Sequence, residues 1–296
     1  MKTTTRAALG AALPLLLALT ACGDTTTEYV TTTEYVTVSG PAGTYMVDYV
    51  PGMMSSVVGK STFQLRVRIK ATGAAATGLA ASLRPVMYMP DMTHGAPADV
   101  VTESATTPGT YDCAVYYLMM SSPTMGFWQV TATLGTEKVD FYPPVGMPMV
   151  PAGDSVRVNL WGPSDVDAMM PMMPSKYFIF SDGPLTAAAG SLKLHVSHSE
   201  DMMMSFVPVH LGSTLAAPTG AVTSLSLTAS TDAAFTTPIN ATHVANGHWT
   251  VPLTGLVVGT QATVYLKLSV NGEDKTTDGL APAGANASVV FKATPK

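Results

Sequence analysis

Met87, Met89, Met92 and His94 put three thioethers and an imidazole into one short stretch, Met87-Tyr-Met-Pro-Asp-Met-Thr-His94. On a strand, Met87 and Met89 point to the same face. Pro90 cannot donate to a sheet ladder, so Asp91 to Gly95 reads as a loop carrying Met92 and His94 just past the sheet end. Thioether sulfur is soft and uncharged and selects Cu(I), and imidazole accepts copper in either oxidation state. Zinc would call for thiolates or for more imidazole and carboxylate. Met125, beside Gly126, closes the site if the two sheet ends converge. The competing reading makes Met87 and Met89 core residues and His94 a loop cap, since methionine fills irregular gaps readily.

A second candidate cluster comprises His195, His198, Met202, Met203, Met204 and His210. His195 and His198 are three apart and face opposite sides of a strand, so one ion could reach both only if the chain bends near Ser197. Without that bend the segment is a strand end followed by a methionine-rich loop. Upstream, Met169-Met170-Pro-Met172-Met173-Pro174 is similar to the methionine-rich stretches of periplasmic copper-resistance proteins. Such surfaces also serve as adaptable protein contacts. His243 and His248 flank Asn246-Gly247 and read as a surface hairpin. The chain has no Gly-x-Ser-x-Gly elbow, no phosphate-cradling glycine loop and no His-Glu-x-x-His. Asp165, Asp167, Glu200 and Asp201 read as solvated loop charge. These absences point to a protein that is not an enzyme.

The elements that position these groups are strands. Phe63-Gln-Leu-Arg-Val-Arg-Ile69 alternates apolar and polar with period two, as a half-buried strand does. Similar runs follow at 83–89, 110–118, 127–134, 138–142 and 155–161, then at 177–180, 191–197, 206–211, 224–229, 249–253, 262–270 and 287–292. Turn residues such as Thr72-Gly73, Pro108-Gly109 and Leu134-Gly135 separate some of them. No segment beyond the N-terminus has helical periodicity. Charged residues make up only 12% of the chain and the net charge is −5, which excludes a nucleic-acid footprint. Methionine numbers 19, as many as phenylalanine and tyrosine together, and none lies beyond Met204.

Lys2 and Arg6 precede an apolar run from Ala7 to Leu19, which falls short of the roughly 20 apolar residues that span a bilayer core. A basic start, a short apolar stretch and a small-residue end make an export signal. Leu19-Thr20-Ala21-Cys22 resembles a bacterial lipobox, which implies cleavage before Cys22 and its lipidation. Gly23 in place of aspartate leans toward the outer membrane. Cys113 is then the one cysteine left, so no intrachain disulfide is available. Its alternating surroundings read as a buried strand, and any functional role for the thiol stays open. Thr25-Thr-Thr-Glu-Tyr-Val30 repeats directly at 31–36 and reads as a tether, or as an edge strand.

The expected organisation is an all-β protein of two tandem immunoglobulin-like antiparallel β-sandwich domains after a signal peptide and flexible tether. Residues 1–21 are the signal, 22–42 the lipidated cysteine and tether, 43–162 the first domain, 163–175 a Met/Pro-rich linker and 176–296 the second domain. Three landmarks recur in order and suggest duplication: the strands at 61–68 and 191–198, Leu83-Arg-Pro-Val-Met87 with Phe206-Val-Pro-Val-His210, and Gly126-Phe-Trp-Gln-Val130 with Gly247-His-Trp-Thr-Val251. Residues 59–134, with Arg84-Pro-Val-Met-Tyr-Met-Pro-Asp-Met-Thr-His-Gly95, Pro108-Gly-Thr-Tyr111 and Met125-Gly-Phe-Trp128, resemble the YtkA-like or FixH-like family of extracytoplasmic β-sandwich domains. That resemblance implies an immunoglobulin-like fold and an association with copper handling and oxidase assembly. The second half lacks the Met-Pro-x-Met-x-His continuation. The leading expectation is therefore a membrane-anchored extracytoplasmic copper-binding lipoprotein that meets a copper-trafficking or oxidase-assembly protein. The alternatives are a metal-free structural or protein-interaction module, and an accessory factor of an oxidase or electron-transfer complex.

Overall fold

The computed structural model describes residues 37–38, 43–52, 55–166, 173–217 and 220–296. The signal, Cys22 and the repeat at 25–36 lie outside the described residues. The chain opens with β1 (Thr37–Val38), β2 (Tyr45–Pro51), β3 (Gly59–Ile69), β4 (Ala81–Tyr88), β5 (Thr93–Gly95), β6 (Thr102–Glu103), β7 (Thr110–Tyr117), β8 (Phe127–Leu134) and β9 (Glu137–Phe141). They form two antiparallel sheets, in the orders β1-β2-β3-β7-β6 and β5-β4-β8-β9. The edge-strand reading of the tether's end holds for Thr37 and Val38, which pair with Asp48 and Val47.

Period-two alternation builds this first pair. Phe63, Leu65 and Val67 of β3 turn inward while Gln64, Arg66 and Arg68 turn outward. They meet Trp128, Val130 and Ala132 of β8 across a core that also holds Met87, Tyr117 and Phe141. Cys113 lies in this core, and burial pushes its thiol up to about 12, so it is no nucleophile at neutral pH.

Next come β10 (Arg157–Val166), β11 (Pro174–Ser181), β12 (Ser191–Glu200), β13 (Ser205–Pro208), β14 (Thr214–Leu215), β15 (Gly220–Ala221), β16 (Leu225–Ser230), β17 (Ile239–Asn240), β18 (Thr242–Ala245), β19 (His248–Pro252), β20 (Ala262–Val270), β21 (Glu273–Asp274) and β22 (Val289–Ala293). One sheet runs β10-β11-β12-β19-β18, with β13 also on β12; the facing sheet runs β17-β16-β20-β21, with β22 also on β20. Leu192, Leu194 and Val196 of the first pack on Val264, Leu266 and Phe291 of the second. The whole is an all-β body of antiparallel sheets facing across hydrophobic cores, an arrangement consistent with an immunoglobulin-like sandwich. The helical elements described are two short 3₁₀ turns, and none of the described residues forms a helix long and apolar enough to cross a membrane.

Two features depart from the sequence reading. β10 pairs with β11 through Arg157↔Phe180 to Trp161↔Lys176, with a register shift before Val166. Residues 155–161 thus belong with the second pair of sheets, and the described ends of the Met/Pro-rich stretch lie in the paired strands β10 and β11. The landmarks taken for duplication also occupy unlike places. The proline strand β4 pairs with the tryptophan strand β8, whereas the proline strand β13 pairs with β12. The strand at 61–68 sits in the sheet opposite β8, whereas β12 pairs directly with the tryptophan strand β19.

Strand β7 from Cys113 to Tyr117 and strand β11 from Tyr177 to Phe180 are buried on both faces. Tyr177 and Ile179 enter the second core, and Phe178 and Phe180 enter the first. On β7, Val115 and Tyr117 face inward while Tyr116 stacks outward against Phe180 at 5.2 Å. The two pairs of sheets therefore meet along the outer faces of β7 and β11. Phe180→Ala removes a fully buried ring from that joint and should lower stability by about 3–5 kcal/mol. Urea unfolding of the full chain checks this, with exposed Val258→Ala as the unaffected control.

Candidate functional site at the joint between sheet pairs

The structure disperses the first candidate cluster. Met87 is wholly enclosed in the first core, Met89 is half-buried against it, and Met92 is 56% exposed in the turn after β4. Met125 packs on the edge of the same core. His94 is buried: its Nδ1 donates to the Gly95 carbonyl at 2.8 Å, and its Nε2 lies 3.2 Å from Met119 Sδ. Its ring meets Trp128 edge-on at 5.2 Å, and burial lowers its pKa.

The second cluster fares likewise. His195 and His198 are both fully buried and point to opposite faces of β12, with no bend to unite them. His198 lies against Tyr177 at 4.7 Å, 3.5 Å from Glu200 Oε1. His210 bonds the Leu211 carbonyl and stacks on His243. Met173 is exposed, and Met169, Met170 and Met172 lie outside the described residues. The copper expectation is overturned. Among the described residues no group of three or more His, Cys, Asp or Glu is placed to hold a metal. The sulfurs range from sealed to solvent-facing, so they do not gather at one opening.

The two methionine regions nevertheless meet, as packing. Met202, Met203 and Met204 follow β12 through a 3₁₀ turn in which Asp201, Met202 and Met203 all have positive φ. Met203 then packs on the first core. Thr93 Oγ1 donates to Met204 Sδ at 3.4 Å. The Met204 carbonyl approaches Gly95 so closely that a Cβ there would sit 2.6 Å from it. Gly95 is glycine because the two halves touch through its backbone.

A polar network that the sequence reading missed fills the rest of the joint. Asp182, at the end of β11, accepts from Lys60 Nζ of β3 at 2.6 Å, Tyr116 OH of β7 at 2.6 Å and His248 Nδ1 of β19 at 2.8 Å. His248 Nε2 donates to Asp99 Oδ2, in the loop after β5, at 2.9 Å. His248 follows the Asn246-Gly247 turn, whose positive φ values of 44 and 80 suit a tight hairpin. A Cβ on Gly247 would lie 2.5 Å from the Val196 carbonyl. The hairpin is present as read, but it delivers its histidine into the joint. His195 stacks on Tyr116 with ring centres 4.3 Å apart, and its Nε2 meets Ser197 Oγ at 2.7 Å.

The electrostatics form a closed quartet: Lys60 and His248 positive, Asp99 and Asp182 negative. Hydrogen bonds to Asp182 first, then to Asp99, raise His248 to about 9, so it is an imidazolium at neutral pH. Burial works to raise Asp182, but its hydrogen bonds from His248, Lys60 and Tyr116 outweigh that and hold it well below the usual carboxylate range. At Asp99, too, burial is outweighed by His248. Burial, reinforced by the His248 charge, depresses His195 to about 3 and keeps it neutral. Both His248 nitrogens are committed to carboxylates, and the His195–Ser197 pair is sealed from solvent. The arrangement can hold two halves together; it offers no reacting group to a substrate.

No family model and no curated protein matches the chain. The specific YtkA-like or FixH-like resemblance is therefore not upheld. Among solved structures the chain is similar to invasin, a bacterial integrin-binding protein, at 12% identity and a TM-score of 0.24. The alignment covers 85% of this chain and 59% of that one, so the chain spans less than two thirds of invasin.

The quartet makes stability pH-dependent. His248 has a folded pKa above its unfolded value, so its contribution is complete below about 6.5 and disappears as pH rises through about 9. Asp99 and Asp182 act oppositely, losing their contribution as pH falls through their depressed pKa values. Neutral His195 adds a loss as pH drops below 6.5 toward about 3. Urea midpoints measured from pH 6 to pH 8.5 should decline through the lower part of the His248 range in the native chain, and that decline should vanish in His248→Gln.

Proposed function

We propose that this chain is a non-enzymatic, membrane-tethered structural and protein-interaction module. In this reading it comprises two tandem immunoglobulin-like sandwiches, exported by the N-terminal signal and held outside the cytoplasm by lipid on Cys22. The observation that carries the reading is the use made of the candidate site. Met203, Met204 and His248 serve the joint between sheet pairs, and His94 is spent within the first pair on the Gly95 carbonyl and Met119.

The surface assigned to a partner protein is the segment between β9 and β10. Met147 is 66% and Met149 90% exposed, beside a groove of about 1020 Å³ also lined by Val58, Val145, Pro151 and Leu185. Flexible, polarizable methionine adapts to varied partner shapes, and large apolar side chains left in water mark contact sites when they cluster.

A photo-crosslinking residue at position 149 in the native host should give a discrete adduct with one identifiable protein, and the same residue at Val258 should give none. Equal labelling from both positions, or none from either, contradicts the reading. For the anchor, Cys22→Ser should move the chain from the membrane fraction to the soluble extracytoplasmic fraction. Unchanged partitioning would remove the tether from the proposal.

A further inference from the structure

Asp165 reads in sequence as a solvated linker charge, yet it is almost completely buried, and Lys275 beside it is 0% exposed. Lys275 Nζ lies 2.7 Å from Asp165 Oδ2 and 2.6 Å from Glu273 Oε2. Tyr177 OH donates to the same Asp165 oxygen at 2.6 Å, and its ring lies under the Lys275 ammonium at 5.1 Å. The backbone fixes this geometry from both sides. Trp161 of β10 and Thr276 exchange both N–H···O bonds, at 2.6 and 2.8 Å. Asp165 lies buried within the register shift of β10 between Trp161 and Val166. A Cβ on Gly162 would overlap the Asp165 carboxylate, so only glycine leaves it room. The second oxygen of Glu273 is held by the Ser164 N–H at 2.9 Å.

We propose that Lys275 and Asp165 condense into an intramolecular amide that ties β10 to the segment after β21. Glu273 takes one proton from the Lys275 ammonium. The freed amine lone pair attacks Asp165 Cγ and the Nζ–Cγ bond forms. The Cγ–Oδ2 bond then breaks, and Oδ2 leaves as water carrying the two protons lost from nitrogen, one relayed by Glu273. Glu273 ends ionised as it began, and Tyr177 donates to the departing oxygen throughout. Nothing is oxidised or reduced. Fixing amine and carboxyl in contact removes the entropic barrier to their meeting. Replacing a sealed ion pair by a neutral amide also removes the desolvation penalty on both charges. Glu273 is partly exposed, which gives the released water a way out.

The equally short Lys60–Asp182 pair serves as an internal contrast. Lys60 is partly solvated, it has no second carboxylate to take its proton, and Asp182 is held ionised by cationic His248. No amide is expected there.

The test is a tryptic digest of the denatured full chain. Trypsin cannot cleave after an acylated lysine, so condensation joins residues 158–176 to residues 268–292 in one branched peptide, lighter than the sum of the two by one water. Linear peptides 268–275 and 276–292 from the native chain, with no branched product, would overturn the proposal without reliance on any variant. Lys275→Arg and Asp165→Ala should yield linear peptides alone. Glu273→Gln should leave most of the chain uncondensed, and a full yield of branched peptide from it would remove Glu273 from the relay.

Discussion

From Cys113 to Tyr117 in β7 and from Tyr177 to Phe180 in β11 both faces of the strand are buried, and the architecture turns on that constraint. A half-buried strand needs one core; these two need a core on one side and each other on the opposite side. The outer faces therefore have to match in shape and in charge. Aromatic stacking of Tyr116 on Phe180 and His195 supplies the shape. The Lys60, Asp182, His248 and Asp99 quartet supplies the charge balance. The charges of the quartet are partly solvated and each is partnered from another element, so removing one weakens the pairing of its neighbours.

The same constraint gives a physical reason for the distribution of methionine. Met203 and Met204 pack where the 3₁₀ turn reaches the first core and β5. Met119 meets His94, and Met87 and Met89 sit where β4 leaves its sheet. These are irregular places, where unbranched side chains fill gaps that leucine or valine cannot. Beyond Met204 the core is built from regular strands, with Leu227, Leu266, Leu268, Val264 and Phe291 filling it. Packing geometry thus accounts for the methionines at the joint and in the first core, while Met92, Met147, Met149, Met173 and Met202 remain exposed.

Much of the strand inventory was legible because a sheet face writes itself as alternation. β8 and β20 fall where their patterns put them, at Phe127–Leu134 and Ala262–Val270. The joint was less legible, but it was not without a signal. Tyr177-Phe-Ile-Phe180 and Cys113-Ala-Val-Tyr-Tyr-Leu118 are unbroken apolar runs, the mark of strands covered on both faces. Taken at that value they would have announced two pairs of sheets in contact. Proline misled in the opposite direction: the Met/Pro-rich stretch looked like a boundary between domains, while hydrogen bonding places its described ends in the paired strands β10 and β11. The polar quartet left no trace, since Lys60, Asp99, Asp182 and His248 are far apart in the chain and individually ordinary.

The thioether and imidazole groups show why residue type alone does not make a metal site. A soft ion needs several donors with free lone pairs converging on one open point. Here the imidazole of His94 is bonded through Nδ1, both nitrogens of His248 are committed, and the sulfur of Met87 is sealed among aromatic rings. Met87 and His94 are enclosed within their own pair of sheets, and of these groups only His248 is turned into the joint. The chemistry left to the fold lies in its charged clusters, which differ in kind: the quartet is balanced by opposite charges that stay ionised, while fully buried Lys275 faces one buried carboxylate, Asp165, and one partly exposed, Glu273.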